Sequence, residues 1–254
     1  MARDWWVDFH DDGYRFLYGQ TLTPERTEVE IAGLVKLLKL QEGAKILDLC
    51  CGDGRHSVPL QRRGMRVTGI DISMVMLRRA QERAEKVLPE GHAMPSWILA
   101  DARQTPLKPK SFDVAVCLFN SLGFGNDDDT RALLQQMYKA LKPGGQLLTE
   151  SVHRDHHVRV QPPEGEWQLD DVGGVAVDTQ THFDPLEGVQ HTTFKWQRET
   201  VGYEKKLRYR AYTATELAAM LRAAGFSDLQ IYGGYDASPF SVDGSQLVIH
   251  ARAR

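Results

Sequence analysis

The stretch that decides the fold is KILDLCCGDGRHSVPLQRRGMRVTGIDIS, residues Lys45 to Ser73. An apolar run, KILDL, leads into a glycine-bearing turn and a helical pattern, and a second apolar run, RVTGID, follows. A carboxylate stands at the end of each run, Asp48 in the first and Asp71 in the second. This order predicts a βαβ unit that holds a nucleotide-like ligand at the ends of its strands.

The same alternation continues along the chain. Further strands are predicted at Ser96–Asp101, Phe112–Asn120 and Gln146–Val152, with helical patterns between them, and two more strands close the chain. Runs such as VAVCLF are apolar at nearly every position, which is typical of strands buried on both faces. The sequence therefore predicts an α/β fold, a doubly wound, mostly parallel seven-stranded sheet with helices on both faces.

The pattern changes in residues 153–212, which are rich in β-branched and aromatic residues with Asp-Pro and Glu-Gly breaks. We interpret this range, here called the insertion, as antiparallel strands and hairpins added after strand five, and as a subdomain that covers the substrate. Residues 1–22 form a separate aromatic and acidic segment, here called the lid segment. Residues 23–152 and 213–254 then form the core.

Composition excludes several classes of protein. The 254 residues carry a net charge of −3, so we expect no nucleic-acid partner, which would favour a basic face. No apolar run approaches the roughly 20 residues that span a bilayer, and the N-terminus lacks a signal-peptide pattern. Three cysteines without metal-type spacing indicate reduced thiols in a cytoplasmic protein. A homodimer is compatible with the sequence.

The residues of the first turn favour a cation over a dinucleotide. The dinucleotide fingerprint G-x-G-x-x-G is absent, because Cys50 replaces the first glycine and Ser57 stands where the third would be. Asp48 and Asp53 flank the turn, and their charge would repel a diphosphate. S-adenosylmethionine, with a sulfonium, an ammonium and a ribose but no phosphate, fits this turn better, and Asp71 is placed to accept from both ribose hydroxyls.

Five segments together resemble the motifs of class I S-adenosylmethionine-dependent methyltransferases, in particular a bacterial small-molecule type. They are DLCCGDG, GIDIS, the ADA that contains Asp101, FDVAVCLFNSLG and ALKPGGQLLTES. The resemblance implies that Asp101 accepts from the adenine amino group and that S-adenosylmethionine is the cofactor. The cofactor-binding residues that it implies are Asp48, Cys50, Gly52, Gly54, Asp71, Ile72, Met76, Asp101, Ala102, Leu118 and Phe119.

The resemblance also implies an activity, the transfer of a methyl group to an oxygen or nitrogen atom of a small-molecule acceptor. FNSLG replaces an NPPY-type signature, which weighs against nucleic-acid or glutamine nitrogen. Carbon methylation, a non-catalytic sensor or scaffold that binds the cofactor, and a nicotinamide oxidoreductase remain as alternatives.

The acceptor is expected between the lid segment and the insertion. Arg154 and His153 follow strand five at the ligand-binding edge, and His153 is predicted as a general base because an imidazole accepts protons near neutral pH. Arg154 disfavours a metal among the neighbouring histidines, so no metal site is expected. The predicted substrate contacts are Trp6, Tyr14, Tyr18, Asn120 and Arg154.

Overall fold

The computed structural model describes residues 5–162 and 165–254, and within those ranges the chain forms two β-sheets with helices around them. The helices are α1 (Trp5–Phe9), α2 (Asp12–Tyr18), α3 (Pro24–Leu38), α4 (Ser57–Arg62), α5 (Met74–Val87), α6 (Asp127–Ala140), α7 (Arg154–Val160) and α8 (Ala214–Ala223). The strands are β1 (Lys45–Leu49), β2 (Arg66–Asp71), β3 (Ser96–Leu99), β4 (Phe112–Cys117), β5 (Leu141–Val152), β6 (Trp167–Val172), β7 (Val175–Asp184), β8 (Val189–Arg198), β9 (Val201–Arg210), β10 (Phe226–Tyr232) and β11 (Gln246–Ala253).

The larger sheet has the order β10-β11-β5-β4-β1-β2-β3 in the described part of the chain. Strands β3, β2, β1, β4 and β5 run parallel, and β11 is antiparallel to both β5 and β10. The predicted seven-stranded, mostly parallel sheet is therefore confirmed. From β1 the chain adds β2 and β3 towards one edge of the sheet and then crosses to β4, on the other side of β1. A crevice therefore opens between the carboxyl ends of β1 and β4.

Helices pack on both faces of this sheet, as predicted. Successive residues of a strand point to opposite faces. Ile46 and Val116 pack with α3 and α4, whereas Leu47, Ala115 and Cys117 pack with α6 and α8. Because both faces are buried, the central strands need apolar side chains at nearly every position.

The helix starts follow the capping signals of the sequence. The hydroxyl of Thr23 accepts from Arg26 N at the start of α3, and Pro24 occupies the first turn. Thr213 and Glu216 form a reciprocal capping box at the start of α8, which the TATE pattern predicts.

The insertion forms a four-stranded antiparallel sheet, β6-β7-β8-β9, within the described ranges. The predicted antiparallel, β-rich insertion after strand five is confirmed, and it also contains α7, which lies between β5 and β6. The seven residues of α7, RDHHVRV, carry no apolar stripe by which a helix is recognised, and none of them is buried. The lid segment contributes α1 and α2, while its residues 1–4 lie outside the described residues.

No helix in residues 5–162 and 165–254 combines the length and the apolar character needed to cross a bilayer.

Candidate functional site

A cavity of about 1240 Å³ opens at the carboxyl ends of β1, β2 and β4, and residues of α1, α2, β8 and β9 line its other side. Most of the predicted site residues border this one space. They are Asp48, Cys50, Gly52, Asp71, Ile72, Met76, Asp101, Ala102, Leu118 and Phe119 on the cofactor side, with Trp6, Tyr14, Tyr18 and Asn120. Gly54, His153 and Arg154, which were also predicted, do not border it.

The turn after β1 depends on backbone conformations that favour glycine. Gly52 has a φ of 55°, and a Cβ built there would meet no atom within 4 Å, so the space beside it is open. Gly54 has a φ of 72°, but a Cβ there would lie 3.0 Å from the side chains of Ala80 and Trp97. The structure thus assigns Gly54 to close packing between elements and Gly52 to the cavity.

Asp71 closes the turn from the neighbouring strand. One carboxylate oxygen accepts from Gly52 N at 2.9 Å and the other from Ser73 N at 2.9 Å. Burial raises the pKa of Asp71, although these backbone bonds oppose the rise. Each carboxylate oxygen keeps a second lone pair, so Asp71 can also accept hydrogen bonds from ligand hydroxyls in the cavity.

Asp48 lies deeper than Asp71. It is 2% exposed and accepts from the hydroxyl of Ser57, the first residue of α4, at 2.5 Å. Burial raises the pKa of Asp48 to about 7, against the opposing bond from Ser57. Asp48 therefore fixes the loop and the start of α4, and its charge is reduced near neutral pH.

Asp101 is already paired with Arg103. The Arg103 guanidinium bonds both carboxylate oxygens, with the shortest contact at 2.6 Å, and it also reaches Asp129 at 2.9 Å. The same guanidinium lies 5.4 Å from the ring of Trp6 in the lid segment. A nucleobase amino group at Asp101 would share the carboxylate with Arg103.

A strained turn follows β4. Phe119 and Asn120 have φ values of 55° and 64°, a region that residues with a Cβ rarely occupy. Residues of β5 hold this turn, because Glu150 accepts from Phe119 N at 2.7 Å and Val152 N donates to the Asn120 side chain at 3.2 Å. This strained turn places Phe119 at the cavity, where the crevice between β1 and β4 opens.

The lid segment presents a row of rings in edge-to-face and tilted contact. His10 donates through Nδ1 to the carbonyl of Trp6 at 3.0 Å, and its ring lies 4.8 Å from that of Tyr14. Tyr14 lies 5.0 Å from Tyr18, which meets Phe119 edge-on at 6.3 Å. Burial lowers the pKa of His10 and raises the pKa of Tyr18 to about 12, so these rings stay neutral at physiological pH.

A charged cluster lies beside the turn of β1. Glu30 accepts from Arg26 at 2.8 Å, from Arg55 at 2.5 Å and from His56 at 2.9 Å. Although burial opposes ionisation, the bond from His56 and the charge of Arg55 lower the pKa of Glu30 to about 2. Arg55 is 7% exposed and its Nη2 has no hydrogen-bond partner among the described residues. The hydroxyl of Tyr235 is also buried and has no hydrogen-bond partner among the described residues.

The predicted base, His153, does not face the cavity. It is 1% exposed, its Nδ1 donates to the carbonyl of Gly244 at 3.0 Å, and its ring packs against Phe240 at 4.4 Å. Arg154 pairs with Asp155 instead of reaching the cavity. The position of His153 therefore gives no support to its role as a base, and that of Arg154 none to a substrate contact.

His157, one turn further along α7, does border the cavity. Its Nε2 lies 3.0 Å from the hydroxyl of Tyr209 and 3.2 Å from the side chain of Gln190. Partial burial lowers the pKa of His157, so the neutral imidazole is favoured.

Several residues that border the cavity were not predicted as site residues from the sequence. They are His10, Arg26, Glu30, Arg55, Glu150, His157, Tyr209 and Tyr235. Glu150 carried a usable signal, because a carboxylate inside the apolar run LLTES of a central strand must find a partner on burial. For Arg26 and Tyr235, which are remote in sequence, there was no such signal.

Residues 46–145 match the model of a family described as "Methyltransferase domain". A curated relative, the 2-phytyl-1,4-naphtoquinone methyltransferase of Nostoc sp., is 30% identical over 143 residues, which cover 54% of this chain and 59% of the relative. The chain thus spans little more than half the length of that relative.

Solved structures share the fold over most of the chain. The CcbJ methyltransferase from Streptomyces caelestis has a TM-score of 0.78 at 20% identity and covers 88% of both chains. An S-adenosylmethionine-dependent methyltransferase from Clostridium acetobutylicum has a TM-score of 0.77 at 16% identity, over 94% of this chain and 95% of that one. Because these two likenesses cover 88% and 94% of this chain, they extend beyond residues 46–145 and include residues of the insertion.

Proposed function

We propose, from the match of residues 46–145 to the methyltransferase-domain family, that this chain transfers the methyl group of S-adenosylmethionine to an oxygen or nitrogen atom of a small-molecule acceptor. The observation that carries the proposal is the size and lining of the cavity. Its volume of about 1240 Å³ exceeds the roughly 300–1,000 Å³ of a pocket for one small ligand. Two ligands therefore fit side by side, as group transfer requires.

The cofactor side fits S-adenosylmethionine, which supplies a methyl group activated by a sulfonium ion. Gly52 leaves open space beside the turn, and Asp71 has lone pairs for ribose hydroxyls. The unpartnered Nη2 of Arg55 requires an anionic or carbonyl partner, and the cofactor's α-carboxylate is such a group. Arg26 borders the cavity beside Arg55, so the two guanidinium groups would hold that carboxylate together.

The acceptor side excludes water and fixes orientation. Tyr18 and Phe119 cover the cavity from the lid segment and from the turn after β4, and Phe194 of β8 meets Tyr18 at 6.4 Å. Holding two reactants in line inside a closed space accounts for much of the rate of a displacement reaction, so no covalent nucleophile is needed.

Carbon methylation is the second candidate, and one specific observation favours it. The relative from Nostoc is named for a naphtoquinone, whose ring offers carbon as well as oxygen. We also propose a cytoplasmic location, since Cys50, Cys51 and Cys117 are all free thiols.

Calorimetry with S-adenosylhomocysteine and with NAD tests the cofactor. We expect S-adenosylhomocysteine to bind and NAD not to bind, whereas the reverse result would show a nicotinamide enzyme. Incubation with methyl-deuterated S-adenosylmethionine and a bacterial metabolite extract, followed by mass spectrometry, then tests transfer. A labelled product supports the enzyme, and its atom of attachment separates oxygen, nitrogen and carbon. Cofactor binding without any labelled product would favour a sensor or scaffold.

A further inference from the structure

Glu150 borders the cavity beside Phe119, which covers the acceptor side, and one of its two carboxylate oxygens is free. The residue is 8% exposed and borders the cavity from β5. Its Oε2 accepts from Phe119 N at 2.7 Å, which fixes the direction of the carboxylate. Its Oε1 has no hydrogen-bond partner in residues 5–162 and 165–254. This oxygen also keeps some accessible surface. Oε1 is therefore available to a ligand.

The charges around Glu150 do not satisfy it. Arg26 and Arg55, the nearby cations on α3 and on the turn after β1, both bond Glu30, and neither bonds Glu150. Tyr235, which approaches from the segment after β10, has a hydroxyl without a partner in the described chain. Burial raises the pKa of Glu150, against the bond from Phe119, because no ion pair compensates its charge. The charge of Glu30 also acts on Glu150 and adds to the rise of its pKa. A buried carboxyl of this kind gains most from a ligand that brings a positive charge and a proton.

The part of the cavity wall that the insertion forms is mainly uncharged. The insertion contributes the side chains of Thr192, Phe194, Leu207 and Tyr209 and the imidazole of His157, whose neutral form is favoured. The lid segment adds Tyr18 to this wall. Such a surface binds an apolar or cyclic body and leaves orientation to the few polar groups at its end.

We infer that Glu150 binds and deprotonates the acceptor, and that the acceptor is a small primary or secondary amine with an apolar or cyclic body; this rests on the proposed methyl transfer. The acceptor's ammonium group gives one N–H proton to Glu150. The lone pair left on nitrogen forms the new carbon–nitrogen bond, while the bond from the methyl carbon to sulfur breaks and its electron pair stays on sulfur. The methylated ammonium leaves, and Glu150 returns the proton to water.

A purely structural role for Glu150 makes a different prediction. Its bond to Phe119 N supports the left-handed turn, so replacement by alanine would disturb the turn and the ligand contact together. Glu150→Gln separates the two roles. The amide oxygen still accepts from Phe119 N, whereas the amide nitrogen that replaces Oε1 is a donor and cannot take a proton.

The test uses the full chain saturated with S-adenosylhomocysteine and titrated with benzylamine or, as a neutral probe of the same shape, benzyl alcohol. Benzylamine should bind the wild type and bind Glu150→Gln at least about 10-fold more weakly, since a hydrogen bond between charged groups is lost. Benzyl alcohol should change by less than about 2-fold. Wild-type affinity for benzylamine should rise with pH as Glu150 ionises, and the variant should lack this rise. Glu187→Gln, in the exposed turn after β7, is the matched control.

Equal affinity of wild type and Glu150→Gln for benzylamine, or no binding of benzylamine to the S-adenosylhomocysteine complex, overturns the inference. An equal loss for benzyl alcohol also overturns it, because the loss would then not depend on the amine. Failure of S-adenosylhomocysteine to bind the wild type is a separate result, which contradicts the proposed function itself.

Discussion

Asp11 of the lid segment accepts a hydrogen bond from the ammonium group of Lys205 in β9 at 2.6 Å. The side chain of Lys205 is only 11% exposed, and its Nζ also lies 5.0 Å from the ring of Phe9. On the opposite side, Asp12 accepts from Arg79 of α5 at 2.5 Å. One ion pair thus joins the lid segment to the insertion and another joins it to the core.

Replacing Lys205 by methionine should loosen the lid segment without unfolding the chain. The side chain of Asp11 is 58% exposed, and ion pairs with an exposed partner contribute about 0.2–1 kcal/mol. We therefore expect amide hydrogen exchange in α2 to quicken by up to about 5-fold, while exchange in β1 and β4 is unchanged. Lys206→Met, at a neighbouring position that is 72% exposed, is the control. Unchanged exchange in α2 for the Lys205 variant would show that the ring contacts alone hold the lid segment.

Replacing Asp71 by alanine should weaken the affinity for S-adenosylhomocysteine by about 1.5–3 kcal/mol, because the lost bonds involve a charged acceptor. Asp71→Asn should lose less, since its amide oxygen still accepts one bond. Calorimetry measures both, with Asp178→Ala on the exposed side of β7 as the control. Wild-type affinity in Asp71→Ala would contradict the assignment of the ribose to this carboxylate.

Replacing Arg55 by methionine should discriminate between two related ligands. If the free Nη2 binds the α-carboxylate, affinity for S-adenosylhomocysteine should fall about 10-fold or more. Affinity for 5′-methylthioadenosine, which has no carboxylate, should hardly change. Glu30 keeps its bonds from Arg26 and His56 in this variant, so the cluster retains partners.

Arg62→Met is the control for this measurement, because Arg62 pairs with Glu28 at the surface with 43% of its side chain exposed. An equal loss for both ligands would place Arg55 in the support of the turn and not at the carboxylate.

The main features of the fold were predictable because they depend on local patterns. The apolar strands, the glycine turn after β1 and the Thr213 capping box each act within a few residues, and each has one favoured geometry. The residue at the end of a strand is likewise predictable, which is why Asp48 and Asp71 both border the cavity.

The direction of a side chain beyond a strand end was not predictable. His153 follows β5, but its backbone N–H donates to Ser245 O, just before β11, and this pairing turns the ring towards Phe240. Which loop covers a strand end is a tertiary property, so chain position alone could not place the imidazole. Arg26 and Tyr235 were missed for the same reason, because they reach the cavity from α3 and from the segment after β10.

The stability that Asp48 contributes should change with pH in the opposite direction to that of a typical carboxylate, whose pKa is lowered on folding. Burial raises the pKa of Asp48 to about 7, with the bond from Ser57 opposing, so the folded state binds a proton that the unfolded chain has lost. The stability that this proton confers is fully present below pH 4 or so and is lost as the pH rises towards 7. Since one pKa unit corresponds to about 1.4 kcal/mol, ionised Asp48 costs the folded state up to about 4 kcal/mol.

Asp48→Asn should therefore be more stable than the wild type at pH 8, and the difference should shrink as the pH falls and vanish only below about pH 4, because the amide stays neutral and its oxygen still accepts from Ser57. Urea denaturation across this range measures the difference. Asp113→Asn provides the contrast. Burial alone would raise the pKa of Asp113, but the bonds from Lys142 and Lys45 outweigh burial and lower it. Asp113→Asn should therefore be less stable than the wild type at neutral pH, and the two stabilities should become similar in acid. An Asp48→Asn protein less stable than the wild type at pH 8 would show that the charged carboxylate, and not its neutral form, holds the turn of β1.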